Sequence, residues 1–487
     1  MDAKLLSLKP LNESTTGPLE CAVRLKAPAD VARLPVHTIL LLDVSESMMD
    51  GNKLGNVKAC ANLVVTLLNA DDRISLITFG ETAQLHLKRV AVDDAQKTAI
   101  RETINGLQCD GCTNLSAGLG YVREVCEGDT QKAGLLILTD GHANRGISHS
   151  EGLRGIVKSL RTSYPHLSVC GVAYGKDHNE DLMKGIAEDS QGAYNVVNGI
   201  EDTAFAFGDT LGGLMSCAFQ NVKLKLPRSV TVHGLYKTTL TADATEVQIG
   251  DVYAGTQPTV LFDLPRSEMV AGNPTITLSG MTLPDYTSWS MALPFEELDG
   301  RDREIELTKL RYRCTDLLKR VREWHNSTVA AHTQLNADID AFERDMADEF
   351  FTGHPITTTL RNEVSTLRDL IRMAQRGPTR DFDVTTQQHS AYIGLGRGFS
   401  TPARATAAPA APPRRGMGAR TMTRTNWLSP TRSMGDPEDA DEPTPVASAS
   451  AAPSVVVPDA AFQNRVQFNI ASLMTSMTQG GSAEEDS

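Results

Sequence analysis

The chain has 487 residues, 40% hydrophobic and 22% charged, an ordinary globular composition with length enough for two or three domains. Its net charge of -13, from 47 basic against 60 acidic residues, argues against a broad nucleic-acid footprint, so no nucleic-acid partner is expected. Met1 to Pro10 lack the apolar run of a signal peptide, and nowhere do about 18 apolar residues follow one another as a spanning helix needs. The expectation is a cytoplasmic or otherwise intracellular protein whose eight cysteines, spread without framework spacing, are reduced thiols.

In chain order, residues 1–35 read as an N-terminal strand segment, because Cys21 to Leu25 alternates; it is expected to join a later β module. Over residues 36–218, strand-length apolar runs alternate with helix-period segments. The runs are Thr38 to Leu42, Ile74 to Phe79, Leu135 to Leu138, Leu167 to Val172 and Ala193 to Val197. Leu54, Val57, Ala61, Val64 and Leu68 form one helical face, and Leu115, Leu119, Val122 and Cys126 another. Continuous Leu, Ile and Val runs are what parallel strands buried between helix layers require. The expected fold class is α/β, a doubly wound and mainly parallel sheet, closing with a helix from about Glu201 to Cys217.

From residue 219 to 300 the period changes to two, as in Val222, Leu224 and Leu226, which predicts a small β-sandwich-like module. Residues 301–377 are expected to be helical. Leu307, Leu310, Cys314, Leu317, Val321 and Trp324 form one stripe, Leu335, Ile339, Phe342 and Met346 a second that continues to Phe350, and a last helix begins near Thr359. These stripes are expected to pack within the chain rather than as a coiled coil, because heptads do not persist past His354. Beyond Gly377 the composition shifts; residues 401–458 are rich in Ala, Pro, Thr, Ser and Arg with almost no aliphatic period, and residues 378–458 are expected to be disordered. In residues 459–487, Val466, Ile470, Leu473, Met474 and Met477 return at helical spacing, as a short amphipathic helix would.

The first long apolar run leads straight into Asp43-Val44-Ser45-Glu46-Ser47, and the third ends in Asp140-Gly141. In a doubly wound sheet, ligands bind at the carboxyl ends of the strands where strand order reverses, and the two runs are expected to be neighbours there. Adjacent carboxylates repel unless a cation or proton separates them. With Ser45 and Ser47 alongside, the donors are all hard oxygen, which suits Mg²⁺, Mn²⁺ or Ca²⁺ better than zinc.

Asp-x-Ser-x-Ser at Asp43, the Thr113-Asn114-Leu115 helix start, and Leu-Thr-Asp-Gly ending at Gly141 together resemble the von Willebrand factor A domain. The likeness extends through Leu54, the Asp71-Asp72-Arg73 turn and Phe79. It implies a metal-ion-dependent adhesion site in which Ser45, Ser47 and Thr113 contact Mg²⁺, and Asp43 and Asp140 hold it directly or through water. It also implies a protein partner whose Asp or Glu completes the coordination. Glu46 stands where glycine is frequent, placing a further carboxylate at the rim. The order of α/β domain, β module, helices and tail looks like intracellular proteins of this type with a Vwaint-type region, here without a RING finger or Hint domain.

A haloacid-dehalogenase-like, metal-dependent hydrolase would need a second acid where Ser45 stands, and the chain has no phosphate loop, Gly-x-Gly-x-x-Gly or Gly-x-Ser-x-Gly elbow. Cys109-Asp110-Gly111-Cys112 lacks the further ligands of a zinc site and reads as two loop thiols, and His142 as a surface residue. The functional expectation is therefore metal-dependent protein–protein interaction rather than catalysis. The alternative is a scaffold acting through its helices and tail with a non-essential metal site. The sequence assigns no oligomeric state.

Overall fold

The structure is a computed structural model that describes residues 2–8, 17–140, 142–175, 178–190, 192–197, 199–234, 236–270, 274–324, 327–352 and 355–375. The expected disordered stretch 378–458 and the amphipathic segment 459–487 lie outside the described residues.

Strands β1 (Asp2–Ser7) and β2 (Leu19–Lys26) come first. The α/β part follows as β3 (Val36–Asp43), a 3-10 turn over Glu46–Asn52, α1 (Lys53–Leu67), β4 (Arg73–Phe79), β5 (Ala83–Ala91), α2 (Asp94–Asn105), α3 (Leu115–Cys126) and β6 (Lys132–Thr139). It continues through α4 (Ser150–Ser163), β7 (Leu167–Tyr174), α5 (Glu180–Ser190), β8 (Ala193–Val197) and α6 (Ile200–Met215). These strands form one six-stranded sheet in the order β5-β4-β3-β6-β7-β8. All pairs are parallel except β4 with β5.

Every residue of β3 is buried because the sheet is covered on both faces. Leu40 and Leu42 pack with the α1 stripe of Leu54, Val57, Ala61 and Val64, in a layer shared with α2 and α6. Ile39 and Leu41 face the other way, onto Leu115, Leu119, Val122 and Cys126 of α3, in a layer shared with α4 and α5. Each such side chain contributes about 1.5–3 kcal/mol on burial, which outweighs the weak helix preference of the many Val residues. The Asp71-Asp72-Arg73 turn also has a physical role. Asp72, fully buried, accepts from Arg33, from the Val36 amide at 3.0 Å and from the Asn69 amide at 2.8 Å, and so fixes the entry to β3.

Beyond α6 come β9 (Cys217–Pro227), β10 (Thr231–Val232), β11 (Lys237–Leu240), β12 (Ala244–Tyr253), β13 (Thr259–Leu264), α7 (Arg266–Val270), β14 (Ile276–Thr282), β15 (Ser288–Leu293) and β16 (Phe295–Glu297). They form two five-stranded sheets, β10-β13-β2-β1-β16 and β11-β12-β9-β14-β15. Leu19, Val23 and Leu25 of the first sheet face Val222, Leu224, Val247 and Ile276 of the second across one core. Strands β1 and β2 lie within the first of these two sheets. Cys217, expected to end α6, instead begins β9, because its backbone pairs with Tyr253.

Helices α8 (Arg303–Arg322), α9 (Val329–Met346) and α10 (Pro355–Gln375) bury their stripes against one another, so the stripes pack within the chain. The second stripe stops at Met346, and Phe350 lies in a separate 3-10 turn over Glu349–Phe351 that Asp348 caps. The last helix begins at Pro355 rather than near Thr359, since proline suits a first helical position where no amide partner is needed.

The α/β part and the sandwich are joined by a buried polar clamp. Lys132, at the start of β6, donates to Asp251 of β12 at 2.7 Å and to Ser168 at 2.7 Å, and Ser168 donates to Asp251 at 2.5 Å. Burial alone would raise the Asp251 carboxyl; the charges of Lys132 and Arg161 and the hydrogen bonds from Lys132 and Ser168 hold it below its ordinary value. Its contribution to stability is therefore present above the ordinary carboxylate range and is lost as pH falls through the depressed value. Lys132→Met should lower unfolding stability by about 3 kcal/mol at neutral pH, because it leaves a buried charge short of its main partner. Adding Asp251→Leu should recover most of that loss in urea denaturation. Equal midpoints for wild type and Lys132→Met would mean the clamp carries no net stability.

Candidate metal centre

The parallel pairing of β3 with β6 places Leu42 opposite Leu138, so both strands run out side by side at Asp43 and Thr139-Asp140. Thr139 Oγ1 donates to Asp43 Oδ2 at 2.6 Å, and the Ser45 amide donates to Asp43 Oδ1 at 2.8 Å. Ser45 Oγ lies 3.1 Å from Ser47 Oγ, and Ser47 Oγ donates to Asp140 Oδ1 at 2.7 Å. Four of the five expected residues are thereby linked, Asp43 to Ser45 through the Ser45 amide and the others through side-chain oxygens. Asp43 is fully buried; Ser47 and Glu46 are exposed.

Thr113, also buried, comes from the turn before α3, and backbone bonds seat that turn on the β3 loop. Asp110 donates its amide to the Val44 carbonyl at 2.6 Å, and Glu46 donates to Gly111 at 2.9 Å. Asn114 donates to Gly80 at 3.0 Å, while Asn144 Oδ1 accepts the Thr113 amide at 2.9 Å. Gly80 is required here, since a Cβ at that position would lie 2.2 Å from the Asp110 carbonyl oxygen. Gly111, with φ of 53°, lets the turn double back before Thr113.

Burial pushes the Asp43 carboxyl up to about 6; hydrogen bonds from Ser45 and Thr139 offset part of this, and the charge of Asp140 adds to it. The cluster therefore has two buried carboxylates side by side and a set of hydroxyls, all hard oxygen donors. Among the described residues no three His, Cys, Asp or Glu side chains gather as a metal-binding group. A cation here would depend on the serine and threonine hydroxyls beside the two acids. Those donors fit a hard divalent ion.

Three residues at the cluster carried no sequence signal. Lys53 donates to Asp140 Oδ2 at 2.5 Å. Asn144 holds the Thr113 turn, and Arg145 pairs with Glu81 at 2.7 Å beside it. His142 is exposed. Cys109 and Cys112 are free and partly exposed. Burial raises the Cys109 thiol, and a hydrogen bond to Glu81 raises that of Cys112, so neither is an activated nucleophile.

At the opposite end of the sheet, Ser75 Oγ, the His37 ring and Asp129 form a hydrogen-bonded relay, with His37 Nε2 2.8 Å from Ser75 Oγ. Ser75 and His37 are fully buried, and Ser75 Oγ also accepts the Arg89 amide at 2.9 Å. The relay has no face for a substrate and acts as internal polar packing.

Residues 38–142 match the family model of the von Willebrand factor type A domain. The chain is 27% identical over 240 residues to the uncharacterized protein YfbK of Escherichia coli, covering 47% of this chain and 41% of that one. It is 26% identical over 274 residues to the uncharacterized protein sll0103 of Synechocystis, covering 53% of this chain and 64% of that one. It thus spans less than two thirds of either relative. A solved von Willebrand factor type A structure from Catenulispora acidiphila superposes with a TM-score of 0.56 at 12% identity, over 80% of this chain and 96% of that one, a likeness of fold. With the family model lying on β3 through the end of β6, and the carboxylates at those two strand ends, the chain contains a von Willebrand factor type A domain.

Proposed function

We propose that the chain is a metal-dependent protein–protein interaction protein. In this reading Asp43, Ser45, Ser47, Thr113 and Asp140 hold a Mg²⁺-class ion, with Mn²⁺ or Ca²⁺ as substitutes. A partner's Asp or Glu side chain fills the remaining position. The observation that carries the reading is the pair of buried carboxylates at adjacent strand ends, with the Ser45 amide on Asp43, the Ser47 hydroxyl on Asp140 and the two serine hydroxyls in contact between them. Two such acids with hydroxyls beside them are the hard oxygen set that captures a divalent ion. The sealed Ser75–His37–Asp129 relay lends no support to a hydrolase. No described helix is long and apolar enough to cross a membrane.

The ion supplies a positive centre for a carboxylate; the chain's own residues orient it. The β3 loop presents the Ser45 and Ser47 hydroxyls, Asn144 and Gly111 set the Thr113 turn, and exposed Glu46 lies beside the mouth. Calorimetry with MgCl₂ and MnCl₂ should find one ion per chain. Asp43→Asn, which keeps the side chain's volume, should weaken binding by about a hundredfold, in line with the few kcal/mol a close charge is worth at a partly buried site. No divalent binding by the wild-type protein would sink the reading.

Glu46 tunes the same site from outside. Its charge should favour the cation and oppose an acidic ligand. Glu46→Gly is expected to weaken Mg²⁺ binding modestly, by less than about tenfold, because an exposed charge is well screened. The same change should increase retention of proteins captured in Mg²⁺ and released by EDTA. Unchanged retention would mean that this side chain does not meet the ligand.

A further inference from the structure

Lys53 is the first residue of α1, and a helix N-terminus carries partial positive charge that disfavours a cation. No acidic residue lies in the first turn of α1 to compensate. The chain nevertheless bends to deliver Lys53 there. Gly51 and Asn52 take successive left-handed conformations, with φ of 60° and 57°, and the second is not a glycine. After that bend, Lys53 Nζ meets Asp140 Oδ2 at 2.5 Å and the Ser47 carbonyl at 3.3 Å. Asp140 presents its other oxygen, Oδ1, to Ser47 Oγ at 2.7 Å. The Asp140 side chain is fully buried, whereas that of Lys53 is 22% exposed, so the lysine side chain reaches the surface and the carboxylate does not.

We infer that Lys53 is the resident counter-ion of the strand-end cluster: it neutralises Asp140 when no divalent ion is bound and gives Asp140 up when one binds. This presupposes the metal site proposed above and adds a residue that sets its affinity. Two positive centres cannot share one buried carboxylate without mutual repulsion, which at these separations is large in a partly buried site. Lys53 therefore keeps the empty cluster stable and holds divalent affinity down. When an ion binds, the Lys53 side chain would swing away from Asp140.

The test is Mg²⁺ and Mn²⁺ calorimetry on the full chain, for wild type, Lys53→Gln and Lys53→Arg. Lys53→Gln should bind about tenfold more tightly, a shift of ~1.4 kcal/mol, while Lys53→Arg keeps the charge and stays near wild type. In EDTA, Lys53→Gln should melt below wild type, because two buried acids then face each other without a counter-ion. In saturating Mg²⁺ that deficit should vanish; a packing role would lower the midpoint in both buffers. In the wild-type protein, acylation of Lys53 by an amine reagent, followed by mass spectrometry, should rise on adding Mg²⁺ as the ammonium leaves Asp140. This measurement serves even if Lys53→Gln does not fold. Equal or weaker binding by Lys53→Gln, or labelling unchanged by Mg²⁺, overturns the inference and leaves the metal site standing. No divalent binding by any of the three proteins overturns both.

Discussion

The parallel pairing of β3 with β6 is the constraint on which the rest of the molecule depends. Its register brings two strands from far apart in the chain to a common end, Asp43 beside Thr139 and Asp140. Parallel strands need a crossover, and here α1, β4, β5, α2 and α3 intervene before β6 returns. Those intervening elements also carry Gly80 and the 110–114 turn to the same edge, so the carboxylates and the Thr113 turn arrive together. The buried acids destabilise that edge; the two apolar layers on either face of the sheet supply the stability that tolerates them.

The opposite end of the sheet has different work. There Lys132, Ser168 and Asp251 bind the start of β6 and β7 to the β-sandwich, and α6 passes directly into β9. The strand β6 is thus anchored at both ends by charge. Lys132 at its first residue ties it to the sandwich, and Asp140 just past its last meets Lys53 and Ser47. A metal-dependent partner bound at one end and a clamp at the other would share this one rigid, fully buried strand.

Much of the architecture was legible because burial leaves a period in the sequence. The apolar runs of β3, β4, β6, β7 and β8 stand out since both faces are covered. The stripes of α1, α3, α8, α9 and α10 stand out since one face is. Strand β5 leaves no such signal because it lies at the sheet edge, half-buried and antiparallel, with Gln84 and Lys88 exposed and no continuous apolar run. The junction at Cys217 leaves no such mark, because its side chain is buried in either a helix or a strand; the pairing with Tyr253 decides between them.

At the site, the sequence by itself determined the donor chemistry. Asp43, Ser45 and Ser47 lie within five consecutive residues of one loop, and their spacing survives folding because nothing long intervenes. The loop that begins at Asp140 follows from the same logic of strand ends. Tertiary structure alone decided what surrounds these donors. Asp43 is buried, Asn144 sets Thr113, and Lys53 meets Asp140 across 87 positions of sequence. Such partners leave no local period, since a lysine or an asparagine reads alike whether it faces water or a buried carboxylate. Local spacing is fixed by the covalent chain, whereas the charge that balances a buried acid is fixed by which distant turn the packed sheet brings beside it.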